Sequence, residues 1–341
     1  MIQRALVAGL GSIGTRHLRL LREALPDADI RVLRRPGRGG DVPDADGCFN
    51  RLDEACAFAP ELAIVSNPAP FHVATAAALA EAGAHLLVEK PVSHDEDGVA
   101  DLLVLCAEKG RVLRIGYNLR FLESLQRFRD EVRSGVIGPV QAIRCEIGQY
   151  LPDWRPGSDY RETVSSQAQL GGGALLELSH ELDMVRWVFG DVVWASAWMG
   201  RQSALDIDVE DCVMLQLGFA ETGDVLPPPV AQVSMDFLRR DTTRICTAIG
   251  AEGTLRWDGV AGTVTRYDVN AGAWRGAEGM RPERDASYRA QIAAFLKAAG
   301  GAPDTIGATG EDGLAVMHLI EAARRSAGDD GRRARVNGSA A

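Results

Sequence analysis

Residues 86–93, LLVEKPVS, place a lysine at the end of an apolar run. Three large apolar residues predict a buried strand, and Glu89, Lys90 and Pro91 follow it directly. A lysine in such a position can hydrogen-bond a substrate hydroxyl and polarise the carbonyl that this hydroxyl becomes. The alternative is a solvated strand end, which is the commoner situation for lysine.

A histidine with two nearby carboxylates is the second group that can move a proton. In GGGALLELSHELD, residues 171–183, Glu177 lies three residues before His180 and Asp183 three residues after it. On a helix, this spacing predicts that the three side chains share one face. A carboxylate beside a histidine raises its basicity and fixes its tautomer. The alternatives are a histidine without a chemical role and a metal site; we predict no metal, because a second histidine at ligand spacing is lacking.

The N-terminal sequence VAGLGSIG has the spacing of a phosphate-binding loop. Gly9, Gly11 and Gly14 form G-x-G-x-x-G after the first predicted strand, and a helix begins at about Ser12. Gly9 permits the tight turn, Gly11 lets the backbone approach a pyrophosphate, and Gly14 lets helix and strand pack closely. The helix N-terminus offers N–H groups to the phosphates, so the sequence predicts dinucleotide binding.

The end of the second predicted strand bears on the choice of cofactor. NAD-binding domains usually carry an acidic residue there, which holds the ribose 2′-hydroxyl. Here DIRVLRRPGR ends in Arg34 and Arg35, with Arg38 nearby and no acid directly after the strand. Guanidinium groups bind a 2′-phosphate through charge-assisted bonds, so we predict NADP. NAD is the alternative if these arginines form only a solvated loop.

The stretch YLPDWRPGSDYR, which begins at residue 150, is the candidate substrate loop. Trp154 and Tyr160 have rings that can stack on a sugar. Arg155 and Arg161 can bind a carboxylate or a phosphate. The alternative is that the stretch is a structural cover over a sheet, or part of an oligomer interface.

Composition excludes several classes of protein. The 341 residues exceed one ordinary core and predict two domains, and 46% hydrophobic with 25% charged residues is typical of a soluble protein. The formal net charge of −10 argues against nucleic acid and membrane partners. The six scattered cysteines include no C-x-x-C pair, and no signal peptide is recognisable, so we expect a cytoplasmic protein with reduced thiols.

The pattern of elements changes part-way along the chain. Through residue 118, continuous apolar runs alternate with amphipathic stretches, which predicts a doubly wound parallel α/β domain for residues 1–118. Residues 119–327 contain many alternating runs and predict a second domain, with a mostly antiparallel sheet, for substrate binding and oligomerisation. Residues 328–341 are charged and small, so we expect a frayed tail.

Together these motifs resemble the Gfo/Idh/MocA oxidoreductase family, and the resemblance covers nearly the whole chain. It rests on the glycine motif, on Pro68 four residues before His72, and on EKP around Lys90. The other matching segments are GYNLRF at 116–121, GGG at 171–173, HELD at 180–183 and the C-terminal EDGLAVMHLIEAARRS.

The resemblance implies a Rossmann domain followed by an α/β domain whose large sheet is open-faced and forms homodimers or homotetramers. It also implies that Lys90 and His180 are the catalytic pair and that the Lys90–Pro91 bond is cis. One position departs from the family, whose members commonly carry Asp four residues before the histidine. That position is Leu176 here, so either Glu177 takes over the role through a local helix irregularity or the role is vacant. For the reaction, Glu177 or Asp183 is expected to orient His180.

We therefore expect NAD(P)-dependent hydride transfer to or from a secondary alcohol or ketone of a sugar, cyclitol or nucleotide-sugar. Bacterial surface-sugar metabolism is a further hypothesis.

The expected catalytic residues are Lys90, His180, Glu177 and Asp183. The expected cofactor contacts are Gly9, Gly11, Ser12, Ile13, Gly14, Arg34, Arg35, Arg38, Asn67, Pro68, His72, Glu89, Lys90 and Asn118. The expected substrate contacts are Tyr117, Arg120, Trp154, Arg155, Tyr160, Arg161 and His180. The alternatives are a redox-assisted glycosidase that retains NAD and a non-catalytic dinucleotide-binding regulator.

Overall fold

The computed structural model describes residues 2–35, 37, 41–221, 227–276 and 283–337. The chain divides into two compact units. The first comprises the residues up to Phe121 together with Asp285–Met317, and the second comprises Leu122–Arg284 and the residues from His318. The break after Phe121 lies close to the predicted boundary at residue 118. The sequence did not predict that Asp285–Met317 groups with the first unit.

Strands and helices are numbered along the chain. The strands are β1 (Arg4–Ala8), β2 (Asp29–Leu33), β3 (Gly47–Phe49), β4 (Leu62–Val65), β5 (His85–Val88), β6 (Leu113–Ile115), β7 (Val140–Gly148), β8 (Val192–Gly200), β9 (Cys212–Phe219), β10 (Val230–Asp236), β11 (Thr243–Gly250), β12 (Thr254–Asp258), β13 (Thr263–Asp268), β14 (Ala273–Gly276), β15 (Ala308–Thr309) and β16 (Ala334–Arg335). The helices are α1 (Ser12–Ala24), α2 (Leu52–Ala57), α3 (His72–Glu81), α4 (Val99–Glu108), α5 (Glu123–Arg133), α6 (Ala174–Glu177), α7 (His180–Phe189), α8 (Ala286–Ala299) and α9 (Gly310–Gly328). Across the described ranges, none of the helices has the length and apolar character needed to span a membrane.

The first unit is built on a seven-stranded sheet in the order β15-β6-β5-β4-β1-β2-β3. All pairings are parallel except that of β15 with β6. Every residue of β4 is buried, as expected for a parallel strand covered on both faces. The register places Ala8 beside both Leu33 and Val65, and Val65 beside Val88, so β1, β2, β4 and β5 end at one edge. In parallel α/β sheets, ligands bind at this carboxyl edge.

The second unit contains a nine-stranded sheet in the order β14-β13-β12-β11-β7-β10-β9-β8-β16. Its pairings are antiparallel except for β7 with β10, which run parallel. Residues alternate between the two faces, so that Val213, Leu215 and Leu217 of β9 are buried. On the other face, Met214 is 56% exposed and its partner on β8, Trp198, is 43% exposed. The predicted doubly wound domain and the mostly antiparallel, open-faced second sheet are therefore confirmed.

The C-terminal segment differs from the predicted frayed tail. Ala334 and Arg335 form β16, which pairs antiparallel with Ala195 and Trp194 of β8. Val336 is buried, and its amide donates to the carbonyl of Val193 at 3.0 Å. Because the backbone groups of β16 are satisfied by an edge strand of the sheet, this short segment is fixed despite its polar composition.

Candidate active site

The glycine loop directly after β1 has three different local environments. Gly9 has a φ of +96°, and a Cβ added there would lie 2.5 Å from the amide nitrogen of Asn67. A Cβ at Gly14 would lie 2.0 Å from the carbonyl oxygen of Gly9, so both positions require glycine for backbone packing. A Cβ at Gly11 would have no atom within 4 Å, because the loop faces open space there. Gly11 is also the N-cap of α1, which no side chain caps.

These features fit a bound dinucleotide. The open space at Gly11 lets a pyrophosphate approach the backbone, and the uncapped first amides of α1, at Ser12 and Ile13, suit its charge. At the end of β4, the amide nitrogen of the Asn67 side chain donates to Thr75 at 2.9 Å. Its buried Oδ1 has no hydrogen-bond partner among the described residues, which suits an acceptor for a ligand.

The end of β2 carries the predicted arginines. Arg34 is half-buried and its amide donates to the carbonyl of Phe49 at 2.9 Å, whereas Arg35 is exposed. Neither side chain forms an ion pair with a described residue, and Arg38 lies outside the described residues. Asp46 is not placed to hold a ribose there, because it lies beside Ile30 near the start of β2, where it accepts from Arg22 at 2.5 Å and from the Ile30 amide at 2.7 Å.

His72, a predicted cofactor contact, lies between two main-chain carbonyl oxygens. The ring is buried, with Nδ1 2.9 Å from the carbonyl oxygen of Pro91 and Nε2 2.6 Å from that of Asn67. Burial lowers the pKa of His72, although both carbonyls favour the charged form. The side chain therefore joins the ends of β4 and β5, and Pro68 begins the short turn that precedes it.

Glu89, Lys90 and Pro91 follow β5 at the same edge of the sheet. The Lys90–Pro91 bond is cis, as the resemblance implies. Lys90 is half-buried, whereas the carboxylate of Glu89 is buried and accepts from His17 on α1 at 2.6 Å and from the Lys90 amide at 3.1 Å. Both oxygens of Glu89 are thus held by the protein, which does not support its predicted role as a cofactor contact.

The segment after β6 is interior to the first unit. Tyr117 is fully buried, and the side chain of Asn118 donates to Ser287 at 2.8 Å. Arg120 is 4% exposed and donates to Asp312 at 3.0 Å. The guanidinium of Arg120 is therefore committed to a carboxylate, which does not support its predicted role as a substrate contact.

In the second unit, the triple glycine packs two loops against α6. A Cβ at Gly172 would lie 2.4 Å from the carbonyl oxygen of Val164. Gly173 has a φ of +105°, and a Cβ there would lie 2.4 Å from the carboxylate of Glu210. That carboxylate also accepts from the amide of Leu175 in the first turn of α6, at 2.9 Å. Burial raises the pKa of Glu210 despite this hydrogen bond.

The helix that carries His180 is broken, which corrects the prediction of one continuous helical face. α6 ends at Glu177 and α7 begins at His180, with a turn between them. His180 and Glu177 are half-buried, and Glu177 accepts a hydrogen bond from Ser165 at 3.1 Å. Asp183 is buried one turn after His180 on the same helix. The buried Glu181 binds Arg244 at 2.7 Å and so ties α7 to β11.

The predicted substrate loop is fixed largely by its own contacts. The indole N–H of Trp154 donates to the carbonyl of Gln149 at 3.0 Å, and its ring packs edge-on against Phe237. The hydroxyl of Tyr160 accepts from the Asp206 amide at 3.2 Å. Arg161 is paired with its neighbour Asp159, whereas Arg155 is exposed. The stacking and anion-binding roles stay predictions.

Three residues that hydrogen-bond the predicted site or the helix before His180 were not predicted from the sequence. His17 contacts Glu89, and Ser165 donates to Glu177. Glu210 accepts from an amide at the N-terminus of α6. Only His17 carried a signal, because it is a histidine within the apolar stripe of a helix. Its partner is 72 residues away in the chain, so the pairing itself was not predictable from local pattern.

Comparison with known proteins assigns a protein family to both parts of the chain. Residues 3–117 match the oxidoreductase family with an NAD-binding Rossmann fold, and residues 125–256 match the GFO/IDH/MocA C-terminal domain. These two matches cover more than half of the chain, and one lies within each predicted domain.

Individual relatives agree with this assignment. A 1,5-anhydro-D-fructose reductase of Ensifer adhaerens is 30% identical over 260 residues, which cover 73% of this chain and 72% of the relative. The myo-inositol dehydrogenase Hyg17 of Streptomyces leeuwenhoekii is 28% identical, with 94% of this chain and 96% of the relative covered. Among solved structures, GenD2 from gentamicin A biosynthesis, in complex with NAD, is 27% identical with a TM-score of 0.79, covering 99% of this chain and 98% of that one. The chain therefore belongs to the Gfo/Idh/MocA family of NAD(P)-dependent oxidoreductases.

Proposed function

We propose that the protein transfers a hydride between a nicotinamide dinucleotide and a secondary alcohol or ketone of a sugar, cyclitol or nucleotide-sugar. The observation that carries this proposal is the placement of Lys90 and the glycine loop, which follow β5 and β1 at one edge of one sheet. The names of the relatives support the substrate class, since one reduces an anhydro-sugar and one oxidises myo-inositol. A place in bacterial surface-sugar metabolism is the finer hypothesis.

The proposed roles follow from the chemistry of each side chain. The dinucleotide, when bound, supplies a hydride acceptor or donor. Lys90 stabilises negative charge on the substrate oxygen, and His180 or Lys90 takes up the proton of the alcohol. Asp183 is the preferred orienting residue for His180, because it lies one turn away on α7. Glu177 belongs to a separate helix and accepts from Ser165.

The preferred cofactor in this proposal is NADP. Arg34 and Arg35 follow β2, where the 2′ position of an adenosine ribose lies in this fold class, and no described carboxylate neutralises them. NAD is the alternative, and the NAD complex of GenD2 supports it.

We also propose that the open face of the nine-stranded sheet mediates self-association. Trp198, Met214, Val230 and Trp274 are large apolar side chains that are each more than 40% exposed on strands of this sheet. Large apolar side chains exposed on one face of a sheet are characteristic of protein interfaces.

A substrate screen tests the proposed activity. The purified protein is incubated with NAD or NADP and a panel of neutral sugars, cyclitols and nucleotide-sugars, and the absorbance of reduced nicotinamide is followed. We expect turnover with at least one member of the panel. The contrary result has two parts: no turnover with any member of the panel, and release of an aglycone from glycosides by a protein that retains its cofactor. That result would contradict the proposal and favour the redox-assisted glycosidase.

A further inference from the structure

His17 and Glu89 form a buried contact between two elements that the proposed reaction needs. His17 lies on α1, whose N-terminus faces the open space at Gly11, and Glu89 directly precedes Lys90. The Nε2 atom of His17 lies 2.6 Å from Oε1 of Glu89, and the histidine side chain is fully buried. A hydrogen bond from a ring N–H to an ionised carboxylate is charge-assisted and stronger than one between neutral groups.

The second oxygen of Glu89 binds the main chain of the lysine. Oε2 accepts from the amide of Lys90 at 3.1 Å. Space for the carboxylate depends on Gly116, where an added Cβ would lie 2.9 Å from both the carboxylate carbon and Oε2. Glu89 is 7% exposed, so its two oxygens serve His17 and Lys90 and are not displayed on the surface.

A carboxylate in this environment would be costly without its partners. Burial acts to raise the pKa of Glu89, but its hydrogen bond and electrostatic interaction with His17 and its interaction with the charge of Lys90 outweigh burial. The pKa therefore lies below its ordinary value. Glu89 is thus a carboxylate at neutral pH, and the charge of the Lys90 amine is one of the interactions that keep it ionised.

The main chain is also held on the other side of the lysine. The carbonyl oxygen of Pro91 lies 2.9 Å from Nδ1 of His72, which in turn reaches the carbonyl of Asn67. The Lys90 amide and the Pro91 carbonyl are thereby tied to α1, α3 and the end of β4. Lys90 itself is half-buried between these fixed points.

We propose that Glu89, supported by His17, is a positioning residue for Lys90, fixing its main chain and placing a negative charge beside its amine. The proposal rests on the proposed catalytic role of Lys90, but its own claim concerns the cofactor-free protein. Neither His17 nor Glu89 is expected to touch the substrate.

Competitive amine labelling tests this proposal without any substrate. Lys90, Lys109 and Lys297 are the three lysines of the chain, so mass spectrometry gives the extent of acetylation at Lys90 relative to two exposed internal standards. In Glu89→Gln, we expect labelling of Lys90 to rise roughly threefold to tenfold, because loss of a neighbouring negative charge favours the reactive neutral amine. Glu89→Asp, which keeps the charge, should return the ratio towards that of the wild type.

The chain offers a matched control. Glu81 pairs with Lys109 at 2.6 Å, but both side chains are largely exposed. Glu81→Gln should therefore leave labelling at Lys90 unchanged and alter Lys109 less than twofold, as for surface ion pairs in general.

Unchanged labelling of Lys90 would overturn the proposal. If Glu89→Gln is folded, with a lower melting temperature but wild-type labelling at Lys90, then Glu89 has only a structural role and the proposal is overturned. If Glu89→Gln does not fold, His17→Asn replaces it, and unchanged labelling at Lys90 has the same meaning. Failure of the proposed catalytic role would appear separately, as retained activity in Lys90→Met.

Discussion

Gly9 packs against Asn67 so closely that a Cβ at position 9 would lie 2.5 Å from the Asn67 amide nitrogen. The backbone of Gly9 is also in the left-handed region, with a φ of +96°. Gly11, two residues later, has a φ of −74° and faces open space. The first glycine is therefore needed to build the loop, and the second to leave room for a ligand.

Alanine substitutions should separate these two roles. Gly9→Ala adds strain at positive φ and a steric overlap, so we expect a loss of about 2–4 kcal/mol in the free energy of unfolding. Gly11→Ala should change stability by less than about 0.5 kcal/mol but weaken NADH and NADPH binding at least about tenfold, by blocking approach to the backbone. Urea unfolding and fluorescence titration measure the two effects. Unimpaired cofactor binding by Gly11→Ala would rule out this placement of the pyrophosphate.

The proposed preference for NADP rests on Arg34 and Arg35. If these side chains bind a 2′-phosphate, Arg34→Ala and Arg35→Ala should each weaken NADPH binding about tenfold, the scale of a lost hydrogen bond to a charged group, and leave NADH binding unchanged. Arg31→Ala is the control, because Arg31 lies on the same strand but pairs with Asp29 and stacks on Phe58. Tighter binding of NADH than of NADPH in the wild type, insensitive to the first two changes, would identify NAD as the cofactor.

The stability contributed by Glu89 should depend on pH in one direction. Its pKa in the folded protein is below its ordinary value, so the contribution is present above the unfolded value of about 4.3 and is lost as pH falls through the folded pKa. We expect Glu89→Gln to be less stable than the wild type by about 1–3 kcal/mol at neutral pH, with a gap that narrows below about pH 4. Urea unfolding across this range measures the gap. A gap independent of pH would mean that Glu89 is not ionised in the folded protein.

The exposed sheet face gives a prediction about assembly. Met214→Lys places a charge among the apolar side chains of that face, opposite Trp198, and should dissociate an oligomer that buries it. Val104→Lys is the control, because Val104 is equally exposed but lies on α4 of the first unit. Sedimentation velocity should show a smaller species for the first variant and no change for the second. The same distribution of species in all three proteins would exclude this face from the interface.

Much of the fold was predictable because its signals are local. The apolar run of β4 and the G-x-G-x-x-G after β1 each specify a structure within a few residues. The alternation in β9 likewise specifies one buried and one open face. Such patterns follow from the periodicity of the elements and need no knowledge of distant partners.

The remaining features depend on contacts that no local pattern encodes. The sequence placed Asp285–Met317 in the second domain, but Arg19 and Asn118 bind Asp285 and Ser287 within the first unit. The break between α6 and α7 was expected only as one alternative, a local helix irregularity at Glu177, since the helical periodicity continues through it. The polar partners of Glu89 were unpredictable for the same reason, because hydrogen bonds between distant residues leave no mark on hydrophobic spacing.

The catalytic role of Lys90 is the central claim, and turnover by Lys90→Met tests it most directly. The variant is compared with the wild type and with Lys297→Met, which changes an exposed lysine on α8. With a substrate from the screen, we expect kcat of Lys90→Met to fall by about 10²–10⁴-fold, the usual contribution of a proton-transfer group, while the Kd for the cofactor changes less than about threefold. Retention of wild-type kcat in a folded, cofactor-binding Lys90→Met protein would contradict the account.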